Sequence, residues 1–208
     1  MWDRSEDQIT LVLIRHGATR ANKEHRYLGK TDEPLSKEGE MQLEEYKRLQ
    51  LYPHIDFLFA SPMKRCMQTA KILYPELQPV PIKEWEEMDF GAFEGKNHVE
   101  LQADKRYQAW IDSNGILPFP DGESREEFMT RCDKGFQRMR EEAELEKKEG
   151  IKIGMVVHGG TIMALLSKYG KGDYFDYQTA NGKGYICIVK NIGTKPEIMK
   201  LEKIEQGL

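Results

Sequence analysis

The sequence predicts an α/β fold, a three-layer sandwich whose mostly parallel central sheet is flanked by helices. Three observations carry that prediction. Short, largely apolar runs recur at Leu11–Ile14, Ile55–Ala60 and Ile153–Val157, the pattern of strands with no face left for water. Stretches with helical spacing alternate with them. Each run then stops at a functional group: Arg15-His16-Gly17, Ser61-Pro62 leading to Arg65, and His158-Gly159-Gly160. Ligands of an open α/β sheet sit at the carboxyl ends of its strands. Such strand ends lie side by side, so these groups are expected to converge on one crevice.

Taken in order, the strand at Leu11–Ile14 runs into Arg15-His16-Gly17-Ala18-Thr19-Arg20-Ala21-Asn22, then a polar loop, Lys23–Pro34. Leu35-Ser36 reads as a staple and N-cap, opening a helix through about Leu51 with Leu43, Tyr46 and Leu49 on one face. Ile55–Ala60 is the second strand. Ser61-Pro62 after it reads as an N-cap and N1 proline, which places Arg65 in the first turn of a helix running to about Leu73. Pro79–Ile82 is a short strand. Trp85–Gly95 is an acidic loop with aromatic residues, Lys96–Trp110 is helical, and Asn114–Gly122 is a Pro/Gly-rich connection. Ser124-Arg125-Glu126-Glu127 is a capping box for a long helix with Phe128, Cys132, Phe136 and Met139 inward. Its far end, Glu141–Glu149, reads as a solvated face. A helix follows from Thr161, and strands at Gly184–Val189 and about Ile198–Ile204 close the chain, the last with the alternation of an edge. There is no repeat, linker or low-complexity segment, so the 208 residues read as one domain, 1–208.

The bulk numbers exclude several classes. Net charge is −4, from 31 basic and 35 acidic residues intermixed along the chain, which gives no basic patch for nucleic acid. Cys66, Cys132 and Cys187 are scattered, odd in number and unsuited to a disulfide framework. No apolar stretch approaches the roughly 20 residues that span a bilayer, and the acidic Met1–Asp7 does not resemble a signal peptide. A cytoplasmic protein with no membrane contact is the expectation.

The strand-end residues suit a dianionic phosphoryl group. Arg15 and Arg65 can fork onto its oxygens, and the start of a helix adds free amides and a favourable dipole. His16 can attack near neutral pH, and nearby guanidiniums favour its neutral form. Its other ring nitrogen is expected to donate to a backbone carbonyl. Glu86, Glu87, Asp89 and Glu94 are all candidate proton donors by position. His25, His54 and His98 lack strand-end placement and read as surface residues. Cys132 and Arg138 stand in a Cys-x5-Arg spacing like that of protein tyrosine phosphatases, but within an amphipathic helix, so Cys132 reads as core. No zinc spacing, P-loop or His-Glu-x-x-His occurs, and no cofactor or metal is implied.

Five segments in order resemble the histidine phosphatase superfamily, in its phosphoglycerate mutase-like branch. They are Arg15–Thr19 with Asn22 and Gly29, Ser61–Arg65 with Gln68–Ala70, Glu87–Gly95, Pro120–Ser124 and His158–Gly160. The resemblance covers about Leu11 to Leu166. It implies that His16 becomes a phosphohistidine, that Arg15, Arg65 and His158 bind the phosphoryl oxygens, and that Glu87 is the general acid and base. It also assigns Thr19, Asn22, Gly29 and Gly159 to substrate binding. The family's mutases usually carry a longer, basic insertion after the acidic motif, and Gly95–Pro120 is short. That favours a phosphatase acting on a small phosphomonoester and releasing inorganic phosphate, similar to α-ribazole and broad-specificity phosphatases. A mutase is the alternative, and an idle phospho-ligand-binding relative is disfavoured because every charged core residue is present. Val157 departs from the Ser that many relatives carry before the second histidine. Substrate identity is expected to reside in 23–34, 96–122 and 173–182.

Overall fold

A computed structural model describes residues 8–144, 150–190, 192 and 195–205. The expectations for Met1–Asp7 and for the end of the charged helix at 145–149 lie outside the described residues. Strands β1 (Ile9–Arg15), β2 (Phe57–Ala60), β3 (Val80–Pro81), β4 (Lys152–Val157), β5 (Gly184–Lys190) and β6 (Glu197–Ile204) form a sheet in the order β3-β2-β4-β1-β5-β6. Its first four strands are mutually parallel, and β5 runs antiparallel to both β1 and β6. The sheet is therefore mixed but mostly parallel, as expected, with β6 at the edge.

The alternation of side chains along a strand explains the three layers. Leu11 and Leu13 of β1 join one buried cluster, Val12 and Ile14 the other. On the first face lie α6 (Arg125–Glu144) and α7 (Gly159–Tyr169), which bury Phe128, Cys132, Phe136 and Met139 with Ile162, Leu165 and Leu166. On the second lie α2 (Lys37–Arg48) and α3 (Lys64–Leu73), which bury Leu43 with Cys66, Ala70 and Leu73. Each fully buried Leu, Ile, Phe or Met among them contributes roughly 2 kcal/mol of apolar burial. Cys132 thus stands in the hydrophobic core on the inward face of α6, as its place on the apolar stripe implied. Short helices α1 (Arg20–Lys23), α4 (His98–Leu101) and α5 (Lys105–Asp112) complete the chain.

The structure corrects several boundaries. Helix α2 stops at Arg48 rather than Leu51: Gln50 has a left-handed backbone (φ 55°), and Leu49 is exposed rather than inward. Lys96–Trp110 is two helices, because Asn97 and Asp104 each cap a new start. The Ser61-Pro62 cap is the instructive error. Helix α3 begins at Lys64 after Met63, which makes no side-chain cap, while the Ser61 hydroxyl lies 2.9 Å from Nε2 of His158. A tertiary partner has taken the group that local chemistry assigned to the helix. The Ser124 box holds as read: Glu127 N–H donates to Ser124 Oγ, and the Glu127 carboxylate accepts from Ser124 N–H.

Register positions the site. Arg15 of β1 stands opposite Val157 of β4, and Ala60 of β2 opposite Val156. The residues that follow each strand, His16, Ser61 and His158, therefore emerge at one end of the sheet. The amide of His16 donates to Val157 O at 2.9 Å, and that of Ser61 to Val156 O at 3.0 Å.

Candidate active site

His16 is enclosed at 3% exposure, and its Nδ1 lies 2.7 Å from Gly17 O. A carbonyl only accepts, so Nδ1 carries the proton and Nε2 keeps the lone pair. Burial pushes its pKa well below 6.5, and Arg65 and Arg15 push the same way. The backbone around it is fixed from two sides. Gly17 N–H donates to Thr69 Oγ1 at 2.9 Å, and Asn181 Nδ2 donates to His16 O and to Asn22 Oδ1, both at 3.1 Å.

The two arginines are positioned through backbone carbonyls, not through acids. Arg65 is fully buried in the first turn of α3; its Nη1 donates to Thr31 O (2.9 Å) and Nη2 to Gly29 O (3.0 Å). Arg15 donates from Nη1 to Thr179 O at 2.7 Å, while its buried Nε has no partner. An enclosed, unpartnered donor of this kind costs free energy unless an acceptor arrives. Gly159 lies against this guanidinium: a Cβ there would stand 3.5 Å from Arg15 Nε.

His158 caps the start of α7 and is fully buried, with Nδ1 3.4 Å from Arg65 Nε. Its ring centroid is 5.2 Å from that of His16, edge to face. Burial, then Arg65, holds its pKa well below 6.5. Glu87 closes the group: its Oε2 lies 3.9 Å from His158 Nδ1, and its Oε1 accepts from the Met88 amide at 2.9 Å. Burial raises the pKa of Glu87 above the ordinary 4.5, despite that amide and the opposing pull of Arg65, Arg15 and Arg131. Two neutral imidazoles, two guanidiniums and a carboxyl inclined to hold its proton thus meet in one enclosed place.

The other assigned residues divide. Asn22 lies beside His16 through Asn181, and with its Oδ1 accepting from Thr19 N–H and Asn181 it retains its NH2 group for a ligand. Thr19 is the N-cap of α1, its hydroxyl accepting from Asn22 N–H. Gly29 stands behind Arg65, and a Cβ there would come within 2.0 Å of Met88 O. Of the candidate acids other than Glu87, Glu94 accepts from the amides of Gly29 and Thr31, and Asp89 pairs with Lys30 at 2.5 Å and accepts from Gly91 N–H. Both are engaged in holding loops. His25, His54 and His98 are exposed, as read from the sequence. Ser61, Thr69, Asn181 and Arg131 were not singled out as site residues by sequence reasoning. Among the described residues no group of three or more His, Cys, Asp or Glu could hold a metal ion, and no helix is long and apolar enough to cross a membrane.

Known proteins resemble this chain over most of its length. An uncharacterized phosphatase, PhoE, of Bacillus subtilis (strain 168) is 32% identical over 165 residues, 78% of each chain. A 2,3-bisphosphoglycerate-dependent phosphoglycerate mutase of Cytophaga hutchinsonii is also 32% identical, over 164 residues and 75% of each chain. The crystal structure of the alpha-ribazole phosphatase from Shigella flexneri superposes with a TM-score of 0.75, covering 97% of this chain and 98% of that one at 24% identity, a likeness of fold. The sequence model of the histidine phosphatase superfamily (branch 1) matches residues 11–201, and the chain belongs to that family.

Proposed function

We propose that the protein is a metal-independent phosphomonoesterase, acting on a small phosphorylated metabolite through a phosphohistidine on His16. The observation that carries this reading is the commitment of His16 Nδ1 to Gly17 O, which leaves a neutral Nε2 lone pair near two guanidiniums, Arg65 buried and Arg15 half-buried. In the first step Nε2 attacks phosphorus as the bond to the leaving oxygen breaks, and Glu87 gives that oxygen its proton. In the second, the Glu87 carboxylate takes a proton from water while the water oxygen attacks phosphorus. His16 departs neutral, inorganic phosphate is released, and Glu87 ends protonated. Arg15, Arg65 and His158, with Asn22 and the Gly159 amide at the start of α7, neutralise the charge spread over the equatorial oxygens. Positioning and charge neutralisation are most of what phosphoryl transfer requires.

Transfer to water rather than to a second substrate hydroxyl is supported by the outer cations. Lys30 pairs with Asp89, Arg131 with Glu123, and Arg125 donates to Asn114 O and Gly115 O. Each of the three would have to give up a partner it already has before it could clamp a second anionic group, as a mutase needs. The mutase-type reading keeps one observation in its favour, the 32% identity to a phosphoglycerate mutase.

Hydrolysis of p-nitrophenyl phosphate in EDTA, beside isomerisation of 3-phosphoglycerate, tests both. Phosphate release that persists in EDTA, falls about a thousandfold or more in His16→Ala, and comes without isomerisation is the expected result. Isomerisation would make the protein a mutase, and loss of turnover in EDTA would overturn metal independence.

A further inference from the structure

The segment that carries Glu87 has little regular structure of its own, only single 3-10 turns at Lys83–Trp85 and Gly91–Phe93. A side chain from another layer supplies what is missing. Arg131, two turns into α6, donates from Nη1 to Glu84 O (2.9 Å) and Glu86 O (2.8 Å), and from Nη2 to Glu87 O (3.3 Å). Its Nε and Nη2 also grip both oxygens of Glu123, at 3.0 and 2.8 Å. Glu123 is stitched to the same loop: its N–H donates to Asp89 O at 2.9 Å, and its Oε2 accepts from Asp89 N–H at 3.3 Å. Phe128 lies beneath, with the guanidinium carbon 5.0 Å from its ring centre. Only an arginine can bind three carbonyls and a carboxylate at once from one rigid plane.

We propose that Arg131, oriented by Glu123, is the positioning residue that sets Glu87 in place as proton donor to the leaving oxygen. The proposal rests on the reading of Glu87 as the general acid. The Glu87 carboxyl has no side-chain anchor of its own; its Oε1 takes the next amide in the chain and its Oε2 faces His158. Its reach is thus set by its backbone, and three loop carbonyls within four residues, at 84, 86 and 87, are fixed by one guanidinium. The groups that sense Glu87 are Arg15 of β1, Arg65 and Cys66 of α3, His158 before α7, Tyr174 of the turn at Tyr174–Tyr177, and Arg131 and Cys132 of α6. Of these only Arg131 also holds the loop.

Leaving groups of different basicity separate positioning from general stability. Phenolate needs the donated proton and p-nitrophenolate does not, and kcat/KM reports steps only as far as departure of the alcohol. In Arg131→Met, kcat/KM for phenyl phosphate is expected to fall roughly 30-fold and for p-nitrophenyl phosphate less than about threefold, within the range for general acids. The alkaline limb of the phenyl phosphate profile moves to higher pH, because a cation favouring ionised Glu87 is gone. Arg131→Lys recovers part of the loss. Equal losses on both esters, or none, would overturn the proposal. Should Arg131→Met fail to fold, the same ratio in Arg131→Lys and Glu123→Gln decides. Glu87→Gln runs beside them: if it is leaving-group selective and the Arg131 variants are not, the positioning role alone is wrong. If it is unselective, the donor role fails and this proposal with it.

Discussion

The two halves of the site are built in different ways. The half proposed to bind the anion stands at the ends of β1 and β4 and in the first turn of α3, and its two arginines, Arg65 buried and Arg15 half-buried, are anchored on the carbonyls of Gly29, Thr31 and Thr179. The half proposed to supply the acid hangs on a loop that α6 grips from outside through one partly exposed side chain, Arg131, which binds three loop carbonyls and pairs with Glu123. A charge that must bind dianions every cycle gains from rigidity, since preorganised donors need no rearrangement at the moment of reaction. A proton donor must instead meet leaving groups of different shape. The difference predicts that damage to the first half removes activity on every substrate, while damage to the second is selective.

The largest effect tests the first half. Arg65→Lys is expected to lower kcat/KM by roughly 100-fold or more on p-nitrophenyl and phenyl phosphates alike, since an ammonium cannot reproduce the fork. It also leaves loop carbonyls short of donors, at about 1–3 kcal/mol each, so the melting temperature falls as well. Unequal losses on the two esters would blur the division between the halves. Next is Gly160→Ala. Its Cβ would arrive 2.7 Å from Glu87 Oε1 and 3.1 Å from the Phe128 ring. Displacement of the carboxyl predicts a loss of roughly tenfold on phenyl phosphate and little on p-nitrophenyl phosphate, with a stability cost of up to about 1–3 kcal/mol. A uniform loss would assign the acid loop to binding.

The pH profile sharpens the same contrast. Glu87, raised above 4.5, sets an alkaline limb that disappears in Glu87→Gln, whereas His16, depressed below 6.5, sets an acid limb. That limb should lie below pH 6.5 and remain in the Glu87 variant. The smallest effect is on stability. His16 and His158 both resist protonation when folded, so the unfolded chain binds more protons as pH drops below 6.5, and stability falls with it. Removing one of them in His16→Asn should lessen the fall in melting temperature between pH 7 and pH 5, since a shift of one pKa unit is worth about 1.4 kcal/mol.

Legibility in the sequence followed the same division. Arg15, His16 and His158 could be read because an apolar run that ends in a charged group is a local signal, and the sheet then brings such ends together. Arg65 was placed in the right turn for a partly wrong reason, since Ser61 serves His158 rather than the helix. Arg131 and Asn181 could not be read as site residues. Both act on backbone carbonyls of distant segments, and a carbonyl has no residue type to betray it. The choice of Glu87 among four acids came from family resemblance. Its physical counterpart is visible only in three dimensions, where Asp89 and Glu94 are spent on neighbouring loop groups and Glu87 turns one oxygen to His158.

The placement of β4 has a consequence for how the molecule comes into being. It lies between β1 and β2, both made long before it, so a gap in the strand order waits for residues 152–157. Until then β1 and β2 present unpaired edges, which invite association with other chains. His16 and Arg65 stand on opposite sides of that gap, and the histidine between them arrives with the strand that fills it. The last parallel strand to be made is thus also the one that completes the proposed site.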